Sequence, residues 1–245
     1  MQTLDHRKQA ILYCIIQDYL KAAEPVGSQT IAQKYNLGIS PATIRHEMAE
    51  LEEKGFLVQP HHSAGRIPSD KGYRFYVDYL MKLKRLTQKE EQYITDEYRR
   101  SERNLEHLLH QTLHILSALS HYTALAFAPE NKVHSWGLTN IIRQPEFSQA
   151  EKIKRILEVL EQEALLVEII KEYTVPDSVT IKIGSENKYK EIEECSLIIT
   201  SYKIHNVPAG ALGVLGPTRM VYSKTTTIVE SVANALSLML SEVEV

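Results

Sequence analysis

The residue types able to read a nucleic-acid edge concentrate between positions 40 and 74. Ser40-Pro41-Ala42-Thr43-Ile44-Arg45-His46-Glu47-Met48 has the form of a helix start. Ser40 can cap free N–H groups, and Pro41 takes the first helical position, where its missing N–H costs nothing. At 100° per residue, Ile44, Met48 and Leu51 turn inward together. The far side then carries Ala42, His46, Ala49 and Glu53, flanked by Thr43 and Arg45. Small, hydroxyl, guanidinium and imidazole groups come first, and the acidic Glu50, Glu52 and Glu53 later. That division suits a helix reading base edges in the major groove with its N-terminal residues. Arg45 has the chemistry for a bidentate contact to a guanine edge, and Thr43 for a thymine methyl or a phosphate.

A second group lies just downstream. His61, His62, Ser63, Arg66, Lys71 and Arg74 are opposed by Asp70 alone. Ser63 offers a hydroxyl donor, and Gly65 would let the backbone approach a phosphate. Lys82, Lys84 and Arg85 extend the positive stretch or form a solvated face. His46, His61 and His62 raise the question of a metal. No Cys or carboxylate stands at ligand spacing from the adjacent pair, so phosphate contact is preferred and no metal or cofactor is expected. The chain has no P-loop, G-x-S-x-G, H-E-x-x-H or C-x-x-C, and no catalytic residue is expected.

The elements that must position these residues are short. A helix is predicted from about Asp5 to Ala22, with Ile11, Ile15 and Tyr19 on one face, until Glu24-Pro25-Val26-Gly27 breaks it. Ser28 is expected to cap a second helix through Ile31 to Tyr35, and Gly55 to stop the third. Phe56–Gln59 and Ile67-Pro68 form a ribbon around a polar turn, His61–Arg66. Ser69-Asp70 then caps a fourth helix carrying Tyr73, Val77, Leu80 and Lys84 to about Leu86. This is the winged helix-turn-helix pattern, which also occurs in modules that bind protein.

Beyond it, a charged stretch leads to Leu105, Leu108, Leu109, Leu113, Leu116 and Leu119. Strand-like runs at Tyr122–Ala128, Val179–Ile183, Ser196–Tyr202 and Gly210–Leu215 alternate with a helical Ser148–Tyr173 and a closing helix bearing Ile228, Val232, Leu236, Met239 and Leu240. The fold class is α+β, with helices on a small antiparallel sheet. The expected domains are 1–86, a helical connector 87–121, and 122–245.

Composition limits the alternatives. The 245 residues are 43% hydrophobic and 24% charged, which excludes a disordered or fibrous chain. There is no apolar run of ~18 residues, and Met1–Arg7 lacks a signal-peptide core, so a cytoplasmic protein without a membrane span is expected. Cys14 and Cys195 are too few for a disulfide scaffold; both read as core residues, with a redox role for Cys195 as the alternative. The net charge of -3 means that any DNA contact must come from a local patch.

Glu24–Ser28, Ser40–Met48, Leu51–Leu57 and above all His62-Ser63-Ala64-Gly65-Arg66-Ile67-Pro68-Ser69-Asp70-Lys71-Gly72-Tyr73-Arg74 resemble the heat-inducible transcription repressor family, HrcA. The resemblance continues through Gln144–Phe147 and Gly213–Met220. It implies a winged helix followed by a GAF-like domain interrupted by an inserted dimerisation domain, and a homodimer on an inverted-repeat operator before chaperone operons. It also implies support from the chaperonin and release on heat stress. Here only Pro129 to Arg143 occupies the place of the insertion, too short for a domain, so the GAF-like sheet is expected to be trimmed. The leucine-bearing face Leu105–Leu119 or the closing helix Ile228–Leu240 is then the candidate two-fold contact, unless each packs within its own domain. A ligand-sensing regulator built on the GAF-like domain is the alternative function.

Overall fold

The computed structural model describes residues 4–242; residues 1–3, which begin the Met1–Arg7 run expected to lack a signal-peptide core, and 243–245 lie outside them. The chain divides into two compact units, Met1–Lys82 and Leu83–Val245.

In the N-terminal unit, α1 (His6–Ala22) is capped by Asp5, whose carboxylate accepts the Lys8 N–H, and ends on Ala23 in the left-handed region. Gly27, in extended conformation, takes the cap position of α2 (Ser28–Lys34), so Ser28 is not the cap but the first helical residue, buried. Asp18 on α1 is buried and accepts from Lys34 (2.8 Å) and the Tyr35 hydroxyl (3.0 Å), tying α2 to α1. In α3 (Pro41–Glu53) the Ser40 hydroxyl accepts the Thr43 N–H. The stripe Ile44, Met48 and Leu51 is buried with Ile11, Leu12, Ile15 and Ile16 of α1. Gly55, at φ 77°, turns the chain out of the helix. β1 (Leu57–Val58) and β2 (Ile67–Pro68) form an antiparallel ribbon, followed by α4 (Asp70–Phe75), capped by Ser69. The expected fourth helix does not run to Leu86. At Tyr76–Leu80 the turns widen to i→i−5, and Met81 donates to the Tyr76 carbonyl (2.7 Å) while its own backbone is extended. Lys84 therefore lies beyond any helix.

The second unit is built on five antiparallel strands in the order β4-β3-β7-β6-β5. They are β3 (Thr123–Phe127), β4 (Val133–Trp136), β5 (Thr180–Ile183), β6 (Cys195–Ile204) and β7 (Val207–Pro217). The register aligns Ala124, Val214 and Ile198 on one face. Residues of the other face, Leu125, Leu197, Ile199 and Leu215, share a core with Ile156 and Val159 of α8 (Ala150–Glu161) and with Leu166, Ile169, Ile170 and Tyr173 of α9 (Glu163–Tyr173). Both classes of element are present, as the α+β reading requires.

Two expected elements change here. Ser148–Tyr173 is two helices, because Gln162 (φ −88°, ψ 82°) interrupts the bonding and lets both apolar faces reach the same core. Pro129–Arg143 is more than a loop: β4 pairs with β3 at the sheet edge, and α7 (Leu138–Ile142) follows. Residues 87–121 contain α5 (Gln88–Arg100) and α6 (Leu105–Ser120), joined by a buried contact between the Tyr98 and Thr112 hydroxyls (2.6 Å). α6 packs against α10 (Tyr222–Ser241). Leu108, Leu109, Leu113 and Leu116 on α6, and Ile228, Val232, Leu236 and Leu240 on α10, are all buried within this unit. Neither face is open for a two-fold contact, because the sheet and the facing helix already cover it.

The two C-terminal motifs meet in space: Arg219 pairs with Glu146 and donates to the Gln144 side chain (3.3 Å). Cys14 and Cys195 are buried, and burial pushes their thiols up to about 11 and about 12, keeping both protonated near neutrality. Among the described residues no helix is long and apolar enough to cross a membrane.

Candidate nucleic-acid interface

Ala42, Arg45 and His46 are exposed on α3, and Thr43 is half-buried, its hydroxyl 3.0 Å from that of Ser40. Arg45 lines a cleft of about 520 Å3 together with Met48, the start of α2 (Gly27 to Thr30), Gln59, and His62 through Arg66 of the ribbon turn. Four expected residues, Arg45, His62, Ser63 and Arg66, are thus brought together. Ser28, Gln29, Thr30 and Gln59 are additions that residue type alone did not signal. Gln59 holds the turn in shape by donating to the His62 and Ala64 carbonyls (3.1 and 2.9 Å).

The rest are placed differently. His61 is exposed on the turn but does not line the cleft. Lys71 donates to the Lys54 carbonyl (2.7 Å) and lies over the Phe56 ring, at the C-terminal end of α3, where a cation complements the helix dipole. Arg74 pairs with Asp78 one turn along (3.1 Å). Arg66 pairs with Glu52 of α3 (2.8 Å), with 15% of its side chain exposed. Its backbone exchanges two hydrogen bonds of 2.9 Å with Val26, which seats the turn against the approach to α2. The seat itself requires Gly65: a Cβ there would lie 2.5 Å from the Val26 carbonyl carbon and oxygen.

Behind the exposed face of α3 is an ion network that helical periodicity did not reveal. Lys8 of α1 reaches Glu47 (2.7 Å), Glu50 (2.9 Å) and Asp5 (3.0 Å), and Arg7 adds a contact to Glu47 (3.3 Å). Only 8% of each of the Lys8 and Glu47 side chains is exposed. Glu47, Glu50 and Asp5 raise the Lys8 pKa; bonds from Lys8 hold Asp5 and Glu50 below their ordinary values of 3.8 and 4.5. The two carboxylates bind protons less tightly folded than unfolded. Their stabilisation is therefore full above those ordinary values and is lost as the pH falls through them to the lower folded ones. Between about pH 6 and pH 3, peptide-resolved hydrogen exchange on α1 and α3, corrected for the intrinsic exchange rate at each pH, should show a smaller acid loss of stability in Glu50→Gln than in the wild type. Superimposable acid limbs would remove Glu50 from the account.

Among the described residues no group of three or more His, Cys, Asp or Glu is arranged to hold a metal ion. In the second unit, a cleft of about 430 Å3 is lined by residues including Ser178, Thr200, Ser201, Asn234 and Ser237. Several of its hydroxyls are already engaged: Thr200 donates to the Ser178 carbonyl, Ser237 donates to the Ala233 carbonyl, and Ser201 accepts the Asp177 N–H.

Comparison with known proteins supplies what geometry does not. Residues 127–226 match the family model described as HrcA protein C terminal domain. The chain is similar to the heat-inducible transcription repressor HrcA of Pelotomaculum thermopropionicum, 34% identical over 340 aligned positions covering 98% of this chain and 98% of that one. The repressor of the same description from Carboxydothermus hydrogenoformans is 36% identical over 334 positions, covering 96% and 97%. Both alignments are longer than the 245 residues here, so the relatives carry internal segments that this chain lacks. A crystal structure of a hypothetical protein, 20% identical, matches with a TM-score of 0.78 over 98% of this chain and 99% of its own, which speaks to the fold alone. With such relatives aligned along nearly its whole length, the chain belongs to the HrcA family of heat-inducible transcription repressors, as a shortened member.

Proposed function

We propose that this chain represses transcription by binding an inverted-repeat operator in double-stranded DNA, its N-terminal unit acting as a winged helix-turn-helix. The observation that carries the reading is the convergence of Arg45 with His62 and Ser63 on one open cleft. In this reading α3 enters the major groove, with Ala42, Thr43, Arg45 and His46 toward base edges. Ser40 and the turn residues His61, His62 and Ser63 meet phosphates, and Lys71 and Arg74 lie further out. Two copies span the two half-sites. The second unit is the GAF-like regulatory and dimerising part, the chaperonin sustains the active form, and heat stress releases it. The names of the relatives support the repressor role, and the engaged hydroxyls of the second cleft leave the ligand-sensing alternative without an observation in its favour.

The test is a fluorescence-anisotropy titration of the full chain against an inverted repeat selected from a randomised duplex pool, its half-site and a scrambled duplex, at two salt concentrations. Tight binding to the full repeat alone, saturating at two chains per duplex, is expected. Equal weak binding to all three, collapsing with salt, overturns the proposal. In the same assay Arg45→Ala should cost about 1–3 kcal/mol on the selected duplex and relax preference at one base. Arg66→Ala should weaken all duplexes alike with little change in salt slope, because Glu52 already neutralises this guanidinium. A slope reduced by about one unit would mean that Arg66 leaves Glu52 for a phosphate.

A further inference from the structure

We infer that Glu50 is a positioning residue for sequence reading: clamped by the buried Lys8, it holds the His46 imidazole in one orientation on the exposed face of α3 for contact with double-stranded DNA. The inference rests on the DNA-binding reading above and adds to it a residue that touches no base. The His46 side chain is 74% exposed, and an unrestrained side chain of that kind samples several rotamers and must be ordered on binding. Its Nε2 lies 3.1 Å from Glu50 Oε1, one helical turn along.

Such a pair on a helix surface is ordinarily too weak to fix a ring. Here the carboxylate is held from behind. Its other oxygen, Oε2, receives the Lys8 ammonium at 2.9 Å, and Lys8 is itself pinned by Glu47 and Asp5. A carboxylate fixed at one oxygen presents the other as a stationary negative charge beside the ring, so the Nε2 edge of the imidazole is drawn toward it before DNA arrives. Nδ1 then remains as the second polar atom of the ring. It faces away from Glu50, where a polar ring atom can meet a base edge in the major groove. The chain Lys8–Glu50–His46 thus links the interior of the unit to a base edge.

The experiment uses the full chain. Wild-type protein first selects a motif from a randomised duplex pool, and anisotropy then measures its preference for that duplex over a scrambled one. Glu50→Ala is expected to lower the preference about tenfold. It should also raise affinity for the scrambled duplex at low salt, because a negative charge near the phosphates is gone. A variant that was merely destabilised would lose affinity for both. Lys8 keeps Glu47 and Asp5, so no buried charge is orphaned. Where thermal melting shows Glu50→Ala to be unstable, Glu50→Gln keeps the side-chain length, removes the charge that Lys8 clamps, and should lose preference several-fold. His46→Ala should lose the same preference without the gain on scrambled DNA, and the double variant should lose no more than His46→Ala alone. Full preference retained by the Glu50 variants, or losses that multiply in the double variant, overturns the inference. A wild-type chain that selects no motif overturns the DNA-binding reading itself and takes the inference with it.

Discussion

Lys8→Met is expected to lower the stability of the N-terminal unit by about 3 kcal/mol. The ammonium it removes is nearly buried and serves three carboxylates, of which Glu47 is equally buried. Methionine fills much of the same volume, so the loss is not one of packing. It comes from leaving the Glu47 carboxylate desolvated with Arg7 as its remaining cation, at 3.3 Å and on a largely exposed side chain. Because the chain has two units, a single global melt would mix them. Hydrogen exchange read on peptides from α1 and α3 isolates the effect, and protection there should fall by about two orders of magnitude. The double variant Lys8→Met/Glu47→Leu should regain most of it, since an apolar pair of similar volume removes the orphaned charge. Unchanged protection in the single variant would mean that the network is solvated and contributes little.

Gly65→Ala is expected to cost about 2–3 kcal/mol locally and to weaken binding to every DNA sequence. The added methyl would meet the Val26 carbonyl carbon and oxygen at 2.5 Å and its nitrogen at 2.7 Å. These are backbone atoms, and Val26 is itself buried and doubly hydrogen-bonded to Arg66, so it cannot retreat as a flexible side chain would. The ribbon turn must lift, which breaks the Val26–Arg66 bridge and pulls Arg66 from Glu52. Faster exchange at residues 24–28 and 57–68, with reduced anisotropy on selected and scrambled duplexes alike, is the expected pair of results. Wild-type DNA affinity in Gly65→Ala would show that the seat of the turn does not matter for binding.

Local rules made the helix that carries the candidate readers legible. Ser40 caps it, Pro41 opens it, Gly55 ends it at φ 77°, and Ile44, Met48 and Leu51 face inward. Each of those signals acts within one or two turns, where neighbouring residues settle the outcome. The same locality misled at Tyr76–Leu80, where an apolar spacing that suits a continuing helix ends in a widened turn, and at Gln162, where one break divides an otherwise periodic run. Leucine spacing on α6 likewise showed an apolar face without showing what covers it; α10 and the sheet do.

By itself the sequence determined the family, through long motifs such as His62–Arg74, along with the α+β class and the exposed side of α3. Only the tertiary structure decided which charges face a solvent-exposed surface and which are already neutralised. Arg66 was read as a positive group opposed by Asp70 alone until Glu52, fourteen residues away, was found beside it, and the pairing of Glu47 with Lys8 of α1 has no counterpart in the spacing. The physical reason is that an ion pair depends on distance and desolvation between residues remote in the chain, and neither quantity is written in residue type or spacing.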